Sequence, residues 1–301
     1  MNGLSWRPPA ALALTLFIWA AFLVVTRAAM TTPLGVIEIG LLRYGTGAIL
    51  FLPVLLRHGI APRGARPLDL ILIPLFGGVL FVALLASGLR LAPVADSGVF
   101  TPAMLPLYVA LLSFLLMGER FGPLRLTGFA LIVAGALFVG GWEALTRTDG
   151  AWRGHLMFTG ASISWAIYTV VFRRSGLSPA LGGALMCFWS ALLFAAFAMV
   201  WGTNFTSVPA PTLLIQVIFQ GLLSGFVATF TFFYAVQTIG ASRTAAFAAL
   251  VPVMAALGGW AFLDEPIGAA KTVGILVVAV GVALASGALR PGVGQKPAHH
   301  G

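Results

Sequence analysis

The chain has 301 residues, of which 60% are hydrophobic and 8% charged, whereas soluble domains average roughly 45–50% apolar and about 25% charged. That balance excludes a soluble domain and leaves an integral membrane protein. The formal net charge of +9 does not indicate nucleic acid, because the basic residues sit in short connections and sort by membrane side.

Windows of about 20 mostly apolar residues mark ten spanning helices, separated by breaks rich in Gly, Pro, Arg or Asp. They fall at 10–27, 34–56, 68–88, 94–117, 123–141, 153–172, 180–201, 211–237, 242–263 and 267–288. The apolar runs are continuous rather than alternating, so helices and not barrel strands are expected. The first span carries Thr15, Trp19, Phe22 and Thr26 on one face, and the second holds Arg43 about nine residues in. An unpaired charge at that depth costs at least about 2.5 kcal/mol, so Arg43 must face the interior. It is either a structural contact to backbone carbonyls or a contact to a substrate carboxylate. Glu38, five residues away, is about 140° around the helix and a poor local partner.

In the fourth span Ser97, Thr101, Met104 and Tyr108 share a narrow arc, and Pro106 follows. The sixth repeats the aromatic face of the first with Ala161, Trp165, Tyr168 and Phe172. The seventh holds Cys187, the single cysteine, which rules out a disulfide framework and a thiolate metal cage. The eighth places Gln216, Gln220, Ser224, Thr231, Tyr234 and Thr238 within about 80° of arc. Such a stripe either lines a path or hydrogen-bonds to neighbouring helices. Pro252 interrupts the ninth span at the depth of Pro106 in the fourth, and the two are candidate hinges. Glu119, Asp264 and Glu265 stand at helix ends and read as caps at the membrane edge.

The chain repeats itself. Pro106 pairs with Pro252, Glu119 with Glu265, Gly128 with Gly274 and Gly135 with Gly281, and the same spacing of about 146 residues pairs Trp19 with Trp165 and Arg27 with Arg173. One five-helix unit therefore occurs twice, as 1–146 and 147–290, with a flexible cytoplasmic tail at 291–301. Five is odd, so the second unit enters from the opposite face. The expected fold is all-α, ten transmembrane helices in two inverted five-helix repeats, with a site where the halves meet. With the N-terminus inside, eleven Lys and Arg lie in cytoplasmic segments and five outside, so both termini are expected in the cytoplasm.

The mid-helix Pro, the Glu thirteen residues later and the Gly-rich helix after it, twice over, resemble the EamA domain of the drug/metabolite transporter superfamily. Arg43 in "LLRYGTGAIL" is similar to the arginine of that domain's second helix. The mid-membrane aromatics also resemble those of the YddG-type aromatic amino-acid exporters. The resemblance implies a carrier of the bacterial inner membrane, exporting amino acids, including aromatic or bulky neutral ones, by alternating access. The expected cavity lining is Trp19, Phe22, Thr101, Met104, Tyr108, Trp165, Tyr168, Gln220, Ser224, Thr231 and Tyr234. The partners implied are a small-molecule substrate and the lipid bilayer, with no cofactor, metal, nucleic acid or ATPase. A sugar-phosphate, nucleotide-sugar or drug carrier of the same superfamily is the alternative, although phosphates want several basic groups where only Arg43 is available. An intramembrane enzyme is the other, but neither HExxH nor GxSxG occurs.

Overall fold

The computed structural model describes residues 6–146 and 150–287; Arg147, at the expected junction of the halves, and the tail 291–301 lie outside the described residues. All described secondary structure is helical. The helices are α1 (Arg7–Met30), α2 (Val36–Leu50), α3 (Leu52–His58), α4 (Pro67–Leu91), α5 (Val94–Met117), α6 (Pro123–Thr146), α7 (Trp152–Ser175), α8 (Pro179–Trp201), α9 (Ala210–Ile239), α10 (Arg243–Leu263) and α11 (Ala269–Ala285).

The expected count of ten spans is met only in part. Among the described residues eight helices are long and apolar enough to cross a membrane, and α2 with α3 makes a ninth if a pair bent by 61° is one span. The bend falls at Phe51 (φ −86°, ψ 3°), with Pro53 in the first turn beyond it, where its missing N–H is harmless. Helix α11 is apolar but has 17 residues, about 26 Å of rise against a hydrocarbon core of about 30 Å. Gly268, in extended conformation, precedes it and Gly287, at φ 75°, follows it.

Among the described residues four stretches are π-helical: Leu41–Gly45 in α2, Ile73–Val79 in α4, Val99–Ala103 in α5 and Val217–Val227 in α9. Pro74 and Pro102 lie in two of them, and a proline has no N–H to close an α-helical turn. Neighbouring side chains take the carbonyls of these wide turns. Tyr44 Oη donates to the Gly77 and Gly78 carbonyls (3.2 and 3.0 Å), Ser164 Oγ to Phe76 (2.7 Å), Ser190 Oγ to Pro74 (3.2 Å) and Ser162 Oγ to Thr101 (2.8 Å).

The repeated glycines meet each other. A Cβ on Gly128 would strike the backbone of Gly281 and Ala285, and one on Gly135 would lie 2.9 Å from the Gly274 carbonyl. As the number rises along α6 it falls along α11, so these two equivalent helices cross antiparallel at two backbone contacts. The other repeated helix ends match as well. Segments Leu105–Met117 and Val251–Leu263 each end on a left-handed residue, Gly118 (φ 66°, ψ 19°) and Asp264 (φ 54°, ψ 28°). Asp264 is the one described non-glycine residue with positive φ.

Gly128→Leu should therefore destabilise the protein by about 2 kcal/mol or more through overpacking. Gly141→Ala, where an added Cβ meets nothing within 4 Å, should be neutral. Thermal unfolding of the detergent-solubilised protein checks the contrast.

Candidate functional site

A line of polar contacts joins α9 to α1 and α2. Gln216 Nε2 donates to the Val25 carbonyl (3.1 Å), and Gln220 Nε2 donates to Thr26 Oγ1 (2.8 Å) and to Gln216 Oε1 (3.2 Å). Arg43 Nη1 donates to Ser224 Oγ (2.9 Å), and the Thr15 and Thr231 hydroxyls are 2.7 Å apart. Four members of the expected stripe thus face the same neighbours across the wide turn at Val217–Val227. The last two do not: Tyr234 is 38% exposed, and Thr238 is exposed and returns its hydroxyl to the Tyr234 carbonyl (2.7 Å).

Arg43 is buried, with its guanidinium 4.4 Å over the ring of Phe22 and 5.6 Å from that of Tyr44. Both rings present a negative π face to the cation, an attraction of about 0.5–2 kcal/mol. As the sequence suggests, Glu38 is not its partner. Both Glu38 oxygens accept from backbone amides, those of Gly35 (2.8 Å) and Asn204 (2.6 Å). At the position matching Arg43 in the second half, Trp189 donates its indole N–H to the Ile60 carbonyl (3.1 Å).

The two aromatic faces are placed separately. Trp19 packs on Phe232 (5.2 Å between centroids), while Trp165 packs on Phe81 (4.6 Å) and Tyr168 (4.9 Å), which in turn stacks on Phe172 (5.8 Å). No ring contact joins the two tryptophans. The face on α5 turns toward α7: Thr101 Oγ1 donates to the Phe158 carbonyl (3.4 Å), and Tyr108 Oη lies 3.8 Å from Met104 Sδ. Pro106 and Pro252 are each the second residue of a helical segment, with the break just before them. Ala248–Leu250 forms a 3₁₀ turn ahead of Pro252, and the π-helical Val99–Ala103 stretch precedes Pro106.

Two ionic assemblies near the expected outer ends of the helices were not anticipated as such. In the first, Arg27 Nε donates to Glu265 Oε1 (2.8 Å), whose Oε2 accepts from the Val94 amide (2.8 Å), while Arg27 Nη1 donates to the Leu89 carbonyl. The matching pair in the repeat, Arg173 and Glu119, is also formed (2.9 Å). The αL residue before each glutamate turns the chain back, so that the Glu265 amide reaches the Gly259 carbonyl (3.2 Å) and the Glu119 amide the Ser113 carbonyl (3.4 Å). The glutamates are thus aimed across to the other half rather than left as simple caps. The side chains of Arg27 and Glu265 are 22% and 14% exposed, those of Arg173 and Glu119 49% and 42%.

In the second assembly Asp96, fully buried, places Oδ1 2.7 Å from Lys271 Nζ and Oδ2 3.0 Å from His155 Nε2, with the imidazole stacked on Phe100 (4.7 Å). These three residues come from α5, α11 and α7. Their signal in the sequence is a shared depth: each stands within about a turn of the start of an apolar run, at the same membrane side. Among the described residues, no group of three or more His, Cys, Asp or Glu is arranged to hold a metal ion.

The EamA-like transporter family model matches residues 9–141 and again 152–287. The chain is similar to an uncharacterized transporter YoaV of Bacillus subtilis (strain 168), 26% identical over 70% of this chain and 73% of that one. It is also similar to an uncharacterized transporter YyaM of the same organism, 27% identical over 82% of this chain and 83% of that one. A solved crystal structure, 21% identical, superposes with a TM-score of 0.60 over 92% of this chain and 96% of that one, which shows the shared fold. Two matches in tandem, covering nearly the whole chain, place this integral membrane protein in the EamA-like transporter family of the drug/metabolite transporter superfamily.

Proposed function

We propose that the protein is a secondary transporter that exports amino acids, including aromatic or bulky neutral ones, by alternating access between two inverted five-helix halves, 1–146 and 147–290. The reading places it in a bacterial inner membrane with both termini cytoplasmic. The observation that carries it is the mirrored pair of latches. Arg27 with Glu265 and Arg173 with Glu119 are one interaction written twice, each tying the first half to the second, at opposite ends of the molecule in an inverted arrangement. A carrier that opens to one side at a time needs a tie at each end and must be able to release either. Here one latch is largely buried and the other lies open to solvent, which is the inequality expected of a molecule closed at one end. The antiparallel crossing of α6 with α11 supports the inversion. The rings of Trp165, Tyr168 and Phe81 support an apolar side chain in the substrate.

In reconstituted liposomes preloaded with unlabelled substrate, labelled phenylalanine, methionine or threonine should enter saturably by counterflow; protein-containing vesicles that match empty ones overturn the reading. Trp165→Ala and Tyr168→Ala should change that uptake while leaving a monodisperse, folded protein. In a Cys187→Ala background, single cysteines at Asn2, next to Met1, and at Arg147 should be labelled from opposite faces of the membrane. Glu265→Gln should lower unfolding stability by about 2 kcal/mol, as for loss of a charged hydrogen-bonded partner. Glu119→Gln, in a solvent-exposed pair, should cost less than about 1 kcal/mol by the same thermal measurement.

A further inference from the structure

Two polar side-chain atoms, one on Arg43 and one a helical turn from its partner Ser224, are buried and lack a hydrogen-bond partner. One is a donor, Arg43 Nε, and the other an acceptor, Gln220 Oε1. Both residues are more than nine-tenths buried, Arg43 at 5% exposure and Gln220 at 0%. Gln220 stands one turn from Ser224, within the same π-helical stretch.

The orientation of the Gln220 amide is fixed by its neighbours. Thr26 spends its own proton on the Phe22 carbonyl (2.6 Å), so toward Gln220 it can only accept. Gln216 spends its amide N–H on the Val25 carbonyl and likewise offers an oxygen. Gln220 must answer both with Nε2, which leaves Oε1 over. Among the described residues Arg43 forms no ion pair, and Glu38 is already committed to backbone amides. A buried guanidinium held by one hydroxyl and two aromatic faces is a cation short of an anion.

We propose that Arg43, Ser224 and Gln220 form the head-group subsite of the carrier, and that the group it takes is the zwitterion of an α-amino acid. The carboxylate accepts from Arg43 Nε, and the ammonium donates to Gln220 Oε1. A simple anion would satisfy Arg43 and leave the glutamine oxygen bare, and a simple cation would do the reverse; a zwitterion answers both. The site occurs once, since the matching positions in the other half are Trp189, Gly78 and Pro74, so one carrier holds one head group. The assignment rests on the amino-acid carrier reading above and names the group that reading requires.

The test titrates the full-length protein in detergent micelles with L-phenylalanine, with phenethylamine, which lacks the carboxylate, and with 3-phenylpropionate, which lacks the amine. Methionine and threonine with their decarboxylated amines run in parallel. For the wild type, loss of either charge should weaken binding on the order of tenfold to a hundredfold, the worth of one charged hydrogen bond. Arg43→Met should bring phenylalanine down to the level of phenethylamine and leave phenethylamine itself little changed. Gln220→Leu should remove the preference over 3-phenylpropionate, and Arg43→Lys should restore part of the carboxylate preference. Equal affinity of the wild type for all three ligands overturns the subsite, with water then satisfying the two atoms, and this result needs no variant that folds. So does an Arg43→Met variant that weakens phenylalanine and phenethylamine by the same factor. If amino acids are carried in liposomes without this discrimination, the carrier reading stands and the subsite falls. If no amino acid binds or moves, both fall.

Discussion

Hydrocarbon accepts no hydrogen bonds and donates none, so every polar group that enters it must find its partner within the protein. The structure obeys this constraint closely. Glu38 spends both oxygens on the backbone amides of Gly35 and Asn204, Asp96 is shared between an imidazole and an ammonium, and the α9 glutamines end on α1. Against that background Arg43 Nε and Gln220 Oε1 are conspicuous, because in a lipid-embedded bundle a bare buried donor and acceptor mark a place kept for something else.

The wide turns belong to the same economy of polar groups. A π-helical stretch leaves carbonyls off the regular ladder, and such stretches recur at functional sites. Here they occur in α2, α4, α5 and α9, and the hydroxyls of Tyr44, Ser162, Ser164 and Ser190 take the carbonyls of two of them. Pro74 and Pro102 help to open those turns. Arg43 and Ser224 meet where two further stretches pack, and Gly221 lets Thr46 of α2 come into close contact with α9. Arg43 thus lies where irregular backbone packs against irregular backbone, whereas α6 and α11 are α-helical throughout.

Much of the fold was legible because the information is local or repeated. Apolar runs mark helices, and Gly128, Gly135, Gly274 and Gly281 recur since only glycine admits a backbone at those crossings. The glutamates at 119 and 265 and the arginines at 27 and 173 were each visible as repeated pairs, but that each arginine meets a glutamate of the other half was not, since spacing along the chain does not say which helix ends approach. The same blindness hid Asp96 with His155 and Lys271, three residues from three helices whose common feature is depth. The face of α9 was read with a uniform 100° step, which a π-helical stretch of eleven residues does not follow. Helix α11 was read as a full span because hydropathy continues past the residue where Gly287 turns the chain. Within the site, the polar stripe could be read from the sequence, whereas the direction of each hydrogen bond along it could not.

The crossing of α6 and α11 constrains how the molecule can change shape. Backbones that touch at two points, Gly128 against Gly281 and Gly135 against Gly274, cannot slide past each other by a residue without driving a carbonyl into a neighbouring Cα. They can still tilt. The crossing is therefore a fulcrum rather than a track: α6 and α11 can change angle about it but cannot change register.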